Sequence, residues 1–379
     1  MKRALGLYVH WPFCARICPY CDFNVYRDRG VDADDWARAF AAEIAYWAER
    51  IERRPLRSLS FGGGTPSLAP ARVLAAMVEA GDRYFGIEPG AEISIEANPN
   101  DVTQDRLAHW KAAGVNRLSI GVQSFHDDAL KFLGRDHDAA QARRAVTDAV
   151  AAFENVSFDL IYAYADHSSD AWRAELAEAL ALNPAHLSLY QLTIEPGTAF
   201  ARAVAAGRWT PPDGDKSADL FDLAQEMTAA SGLDPYEISN HARPGFESRH
   251  NFLYWRQDDY IGIGPGAHGR VELDARRTAT ETLKRPDDYL ARVKATGAGL
   301  SSLAPLSDEE QLTERLAMGL RLAEGVTLYA DDVFYDDDAR VDRMRQLIDD
   351  GLLEMNCGRL VASKDGRRVL NRLLYELLG

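Results

Sequence analysis

At 379 residues, 46% hydrophobic and 27% charged, the chain has ordinary globular composition and is long enough for more than one structural unit. That balance excludes disorder, collagen and coiled coil as the main state. A net charge of −15 opposes binding to phosphate backbones, so nucleic acid is not an expected partner.

No run approaches the roughly 20 apolar residues that span a bilayer. The start, Met1 to Tyr8, is basic and then apolar like a signal peptide, but the apolar stretch meets His10 too soon and no small-residue cleavage site follows. A cytoplasmic protein with at most transient membrane association is expected. Four cysteines are too few for a disulfide scaffold, and three of them fall within Cys14–Cys21, a clustering that points to a metal.

From Leu5 to about Leu192, short β-rich runs alternate with longer helical ones. Strands are expected at Leu5–Val9, Ser58–Phe61, Glu92–Glu96, Arg117–Gly121, Val156–Ile161 and His186–Leu192. In Asp34–Ile51, Trp36, Phe40, Ile44 and Trp47 recur at helical spacing. Repeated strand–helix–strand order implies an α/β fold with a parallel sheet. About six repeats are too few for a closed eight-stranded barrel, so a partial, open β/α barrel is expected.

The first strand runs into the cysteines and the second into Gly62-Gly63-Gly64-Thr65-Pro66. The third ends at Glu96-Ala97-Asn98-Pro99 and the fourth at Gly121-Val122-Gln123-Ser124, while Asp159 lies on the fifth and Tyr190-Gln191 on the sixth. Polar groups and bare backbone thus collect at one rim, the C-terminal ends of the strands, where barrels place their chemistry.

A less regular middle, 196–299, extends the barrel unit of 1–195, and Gly297-Ala298-Gly299-Leu300-Ser301-Ser302 reads as a linker. In 300–379, Ser307 and Glu310 form a capping box, opening a helix with Leu312, Leu316, Leu320 and Ala323 on one face. A second helix near Ala339–Asp350, a hairpin turning at Asn356-Cys357-Gly358 and a last helix complete a winged-helix-like α+β module.

Three thiolates on the loop Cys14-Ala15-Arg16-Ile17-Cys18-Pro19-Tyr20-Cys21 can hold three irons of a 4Fe–4S cluster and leave the fourth iron open. Zinc is the alternative, with His10 as a fourth ligand, because zinc sites pair Cys-x₂-Cys units or add histidines. No second Cys pair exists, and a disulfide would strand one thiol of three. The cluster accounts best for the spacing.

The Cys-x₃-Cys-x₂-Cys spacing, with Tyr20 before the last cysteine, resembles the radical S-adenosylmethionine superfamily. Tyr8-Val9-His10-Trp11-Pro12-Phe13-Cys14 narrows the likeness to the branch of oxygen-independent coproporphyrinogen dehydrogenases (HemN) and the related heme chaperones (HemW). It extends through the segments 61–66, 94–99, 119–125, 133–137, 158–162 and 250–255. The resemblance implies a radical-SAM-type partial barrel with a HemN-type C-terminal domain, and Cys14, Cys18 and Cys21 as cluster ligands. It also implies that Tyr8, Gly63, Gly64, Thr65, Glu96, Gln123, Arg135 and Asp159 surround S-adenosylmethionine. The residue types suit such a pocket, because glycines admit close backbone approach, an arginine clamps a carboxylate, and carboxylates accept from ribose hydroxyls or an amine. Taken singly, each has a plainer reading as a tight turn, a surface ion pair or a solvated rim carboxylate.

Within the branch, the enzymes carry Cys-x₃-Cys-x₂-Cys-x-Cys and an N-terminal extension. Here Phe23 stands where the fourth cysteine would be, and 13 residues precede Cys14. Both departures favour the heme chaperone and leave coproporphyrinogen III oxidation, and with it enzymatic activity, as the alternative. No catalytic residue is assigned. By the same resemblance, His250-Asn251-Phe252-Leu253-Tyr254-Trp255 is the heme-associated segment, with His250 the candidate axial ligand. On the residues themselves, a hydrogen-bonded core histidine is the leading reading, and the resemblance brings the two level. His268 is a second candidate, and Cys357 reads as structural. The implied partners are heme and heme-accepting respiratory proteins; the chain is a monomer or dimer. After Asp159, relatives commonly read Ile-Tyr-Gly-Leu-Pro, whereas this chain has Ile161-Tyr162-Ala163-Tyr164-Ala165, which changes that loop's backbone options.

Overall fold

The structure, a computed structural model, describes residues 3–28, 30–329 and 332–378. Met1 and Lys2, the basic start of the signal-like stretch, lie outside the described residues.

Six parallel strands form where hydrophobic runs alternate with amphipathic helices: β1 (Leu5–Trp11), β2 (Leu56–Gly63), β3 (Ile87–Ala97), β4 (Arg117–Gln123), β5 (Asn155–Tyr162) and β6 (His186–Gln191). A seventh, β7 (Asp259–Ile263), pairs parallel with β1 on its other side, so the parallel order is β7-β1-β2-β3-β4-β5-β6. β7 comes from the middle segment that reads as irregular. Its five residues stop at Gly264-Pro265-Gly266, too short a run beside too strong a turn signal to read as a strand.

Antiparallel strands extend both flanks. Asn240–Ala242 and Asp234–Pro235 follow β6, while β8 (His268–Leu273), β9 (Arg276–Thr282) and β10 (Leu300–Pro305) follow β7. The expected linker at Leu300-Ser301-Ser302 is therefore part of an edge strand. From Ser301 to Pro305 every residue is exposed, so no alternation marks the strand, and Pro305 is tolerated because an edge needs no further donor.

Crossover helices bury their apolar stripes on this sheet. The helix Ala33–Ala48, capped by the Asp32 carboxylate, puts Trp36, Phe40, Ile44 and Trp47 into the main core. The C-terminal module has a separate core of Leu312, Leu316, Leu320, Phe334, Leu360 and Leu373, among others, beneath a three-stranded antiparallel sheet. Its first helix, Asp308–Gly319, opens on the expected Ser307–Glu310 capping box, though Ala323 lies beyond the helix end. The hairpin Leu353–Asn356 and Arg359–Ala362 turns through Cys357 and Gly358, both at positive φ, with Cys357 exposed at its tip. Ion pairs join module and barrel: Arg270 with Glu314, Arg321 with Glu237, and Arg368 with Asp222.

No helix among the described residues is long and apolar enough to cross a membrane.

Candidate functional site

The cysteine loop leaves β1 and is pinned at both ends. Phe13–Cys14 pairs with Tyr26–Arg27, and the Asp28 amide donates to the Cys14 carbonyl at 2.9 Å. Within it, the Cys21 amide donates to the Cys18 carbonyl at 3.2 Å, folding the last two cysteines into one turn. The glycine loop after β2 is zipped to the same segment, Gly64 N–H to the Trp11 carbonyl at 2.7 Å and Thr65 N–H to the Phe13 carbonyl at 2.9 Å. A Cβ on Gly64 would stand 3.0 Å from the Cys14 sulfur, so a bare backbone is what lets the loop lie against the thiol.

These loops and the strand tips enclose a cavity of about 390 Å³. Cys14, Cys18 and Cys21 line it, as do Gly63, Gly64, Thr65, Glu96, Gln123, Arg135 and Asp159. Of the residues implied to surround S-adenosylmethionine, Tyr8 is the exception. It lies beneath the floor, its hydroxyl 3.1 Å from Nδ1 of His10.

Glu96 is exposed into the cavity and bonded to the Gly63 amide at 3.3 Å. Enclosure by protein, and then the charge of Asp159, push its carboxyl up to about 7. Burial likewise raises Asp159 to about 6, against hydrogen bonds from Ser188 and Ser119 that lower it. Two carboxyls poised near neutrality against a cavity are suited to a cationic ligand. Gln123 sits at positive φ where the β4–β5 register shifts, a bulge that re-aims its side chain. Its Oε1 is buried without a partner, as is Nε of Arg135. Orphaned polar atoms on a cavity wall are what a polar ligand would satisfy.

His10 does not join the thiols as the zinc alternative requires. Its Nε2 meets the Asn24 carbonyl at 3.0 Å, which can only accept, so Nε2 carries the proton and Nδ1 accepts from Tyr8. Burial raises Cys14 and holds Cys21 up at about 11. Three thiols on one cavity, with both ring nitrogens of His10 engaged elsewhere, fit a cluster with an open iron.

His250 lies apart from the cavity. The helix Arg249–Trp255 packs under the sheet, its N-terminal amides at Arg249 and His250 each donating 3.1 Å bonds to Glu92 on β3. His250 and Tyr254 do share a face: Nε2 and the Tyr254 hydroxyl are 2.6 Å apart, while Nδ1 is 2.7 Å from Ser58 Oγ. Both ring nitrogens are thus engaged, and burial lowers the imidazole to about 3, keeping it neutral. His268 is exposed on β8, 3.7 Å from Glu281.

Sequence reading missed Ser119 and Ser188, which hold Asp159, and Tyr20, which lines the cavity beside Arg135. Ser119 was findable, because Arg117, Ser119 and Gly121 alternate on one face of β4.

Comparison with known proteins places these features in context. The model of the Radical SAM superfamily matches residues 8–176, and that of the HemN C-terminal domain matches 306–369. The chain is 38% identical to the mitochondrial radical S-adenosyl methionine domain-containing protein 1 of Bos taurus, over 100% of this chain and 88% of that protein. It is 35% identical to the heme chaperone HemW of Mycobacterium tuberculosis, over 100% of this chain and 95% of that one. In fold it resembles the coproporphyrinogen III oxidase HemN of Escherichia coli, with TM-score 0.81, 23% identity, and 99% and 90% of the two chains covered.

Proposed function

This chain belongs to the radical S-adenosylmethionine superfamily, in its HemN/HemW branch, and from that premise we propose that it is a heme chaperone. It would bind a 4Fe–4S cluster through Cys14, Cys18 and Cys21, S-adenosylmethionine in the cavity, and heme as cargo for respiratory acceptor proteins in the cytoplasm. The observation that supports this most is likeness to HemW along the whole chain, joined to Phe23 at the place of the enzymes' fourth cysteine.

The residues fit the cofactors. When bound, the cluster supplies an iron that takes the amine and carboxylate of S-adenosylmethionine. Around it, Glu96 and Asp159 present acceptors to the ligand's amine and ribose, Gln123 Oε1 gains a partner, and the glycine loop keeps side chains out of the way. On the likeness to HemW, heme is assigned to the neighbourhood of the helix Arg249–Trp255, with His250 the proposed ligand. Ligation through Nε2 requires that Tyr254 first give up its hydrogen bond.

Anaerobic reconstitution tests the cluster: about four irons per chain are expected, with a broad visible absorption that Cys18→Ala removes. Heme titration and incubation with coproporphyrinogen III test the function. Heme binding without porphyrinogen turnover is the expected result; robust turnover would move the assignment to the oxidase.

A further inference from the structure

Arg135 sits in the turn that ends the helix Asp127–Phe132, and this turn lies flush on the cysteine loop. The neighbouring Gly134 has φ +68, and a Cβ there would stand 2.5 Å from Cδ of Pro19, so only glycine permits the contact. Arg16 of the cysteine loop donates to the Arg135 carbonyl at 3.4 Å. From this position the guanidinium spans two elements. Nη1 donates to the Cys18 sulfur at 3.3 Å and reaches the Tyr20 hydroxyl at 3.5 Å, while Nη2 donates to the Gly121 carbonyl at the tip of β4 at 3.1 Å.

We propose that Arg135 is a positioning residue that fastens the middle cysteine to the strand tips and raises the reduction potential of the cluster the three thiols would ligate. This rests on the cluster reading above and goes beyond a carboxylate clamp, because two of the guanidinium's nitrogens are already committed to protein atoms. A cation donating to a ligand sulfur stabilises the state with one more electron, and hydrogen bonds to cluster sulfurs are one of the levers that set potential. A hydrogen bond from a charged donor is worth about a factor of ten in an equilibrium constant, and only the part by which it favours the reduced state counts, so the reduced-to-oxidised ratio at a fixed potential should fall by up to about tenfold when it is removed, up to about 59 mV for a one-electron couple. The fork matters as well as the charge, since a lysine ammonium cannot reach Cys18 and Gly121 as two arms of one planar group.

The test is an EPR-monitored redox titration of the reconstituted full chain, with iron content read beside it. Iron loading of the unaltered chain checks the cluster reading first; if no cluster forms there, that reading fails. Given a cluster, Arg135→Met should titrate at a more negative potential, with Arg135→Lys between it and the parent. Loss of iron from Arg135→Met with the fold intact by circular dichroism, restored in Arg135→Lys, also supports the assignment. A loaded Arg135→Met cluster at the parent potential overturns it. Should Arg135→Met fail to fold, Arg135→Gln, polar but uncharged, decides on the same criterion.

Discussion

The ring of Tyr8 is stacked on the imidazole of His250, with centroids 6.1 Å apart, while its hydroxyl is hydrogen-bonded to His10. Tyr8 is thus a partition. Above it are Gly62 and Glu96, since a Cβ on Gly62 would lie 2.7 Å from the Tyr8 ring and 3.1 Å from the Glu96 carboxylate; below it is the helix that carries His250. Through His10 and Asn24 the same residue is tied to the cysteine loop. The proposed heme segment and the cofactor cavity therefore share one wall.

If His250 is the heme ligand, Tyr254 competes for its Nε2. Tyr254→Phe should tighten heme binding severalfold, because one hydrogen bond of about 1 kcal/mol no longer has to be broken. His250→Ala should abolish the ligand-field bands of the heme complex and also destabilise the fold by about 2–4 kcal/mol, since it leaves Ser58 and Tyr254 without their partner. Titration of both variants followed in the visible spectrum, with thermal melts, checks this. Unchanged heme spectra in both would remove His250 as ligand.

The cavity carboxyls give a pH dependence with a defined sign. Glu96 is pushed up to about 7 and Asp159 to about 6, so both gain charge, and attract the sulfonium-bearing ligand more strongly, as pH rises through that window. Affinity for S-adenosylmethionine should increase from about pH 5.5 to about pH 8, within the range set by these two groups. Glu96→Gln should flatten the upper half of the curve, as measured by equilibrium dialysis at each pH.

Glu43 supplies the opposite dependence in stability. Fully buried, it receives the Tyr289 hydroxyl and the amides of Gly299 at 2.7 Å and Gly264 at 3.3 Å. Burial outweighs these bonds and raises its carboxyl to about 7. A folded-state value above the unfolded one stabilises the protein at low pH, and the contribution is lost as pH rises from about 4.5 through 7. Denaturant melts of the parent and Glu43→Gln at about pH 5 and about pH 8 should show this loss, about 3 kcal/mol at most, in the parent only.

Ala163 is buried at φ +57. An L-residue in that region carries roughly 1 kcal/mol of backbone strain, offset in part by burial of its methyl group. Ala163→Gly should therefore leave the melting temperature equal or slightly higher, whereas Ala163→Val should lower it.

Much of the fold was legible because hydrophobic period and turn chemistry agree from Leu5 to Leu192. All six predicted strands form there, five of them longer at their ends and the sixth stopping one residue sooner, at Gln191. Past that point the signal fades for physical reasons. Strand β7 is buried within five residues, and β10 is exposed from Ser301 onward, so neither shows a period of two. Gly63, Gly64, Thr65, Glu96, Gln123 and Asp159 stood out by their places on or after strands, whereas Arg135, in a turn after a helix, came only from the resemblance, and Tyr8 lies outside the cavity lining. It follows a strand residue's ordinary alternation, and its place under the floor depends on how closely Gly62 lets β2 approach. The engagement of His250 by Ser58, 192 residues away in the chain, had no local signature.

The ion pairs that join the C-terminal module to the barrel carry one more consequence. The arginines of these pairs are partly open to solvent, between a fifth and a third exposed for Arg270, Arg321 and Arg368, though Glu237 is fully buried and Ile238 packs on the module's core; the two apolar cores do not merge. Such a joint is moored by charge, so rising ionic strength should slacken it while each core keeps its own cohesion. A calorimetric trace that is single in dilute buffer and splits in two with added salt would be the mark of that hinge.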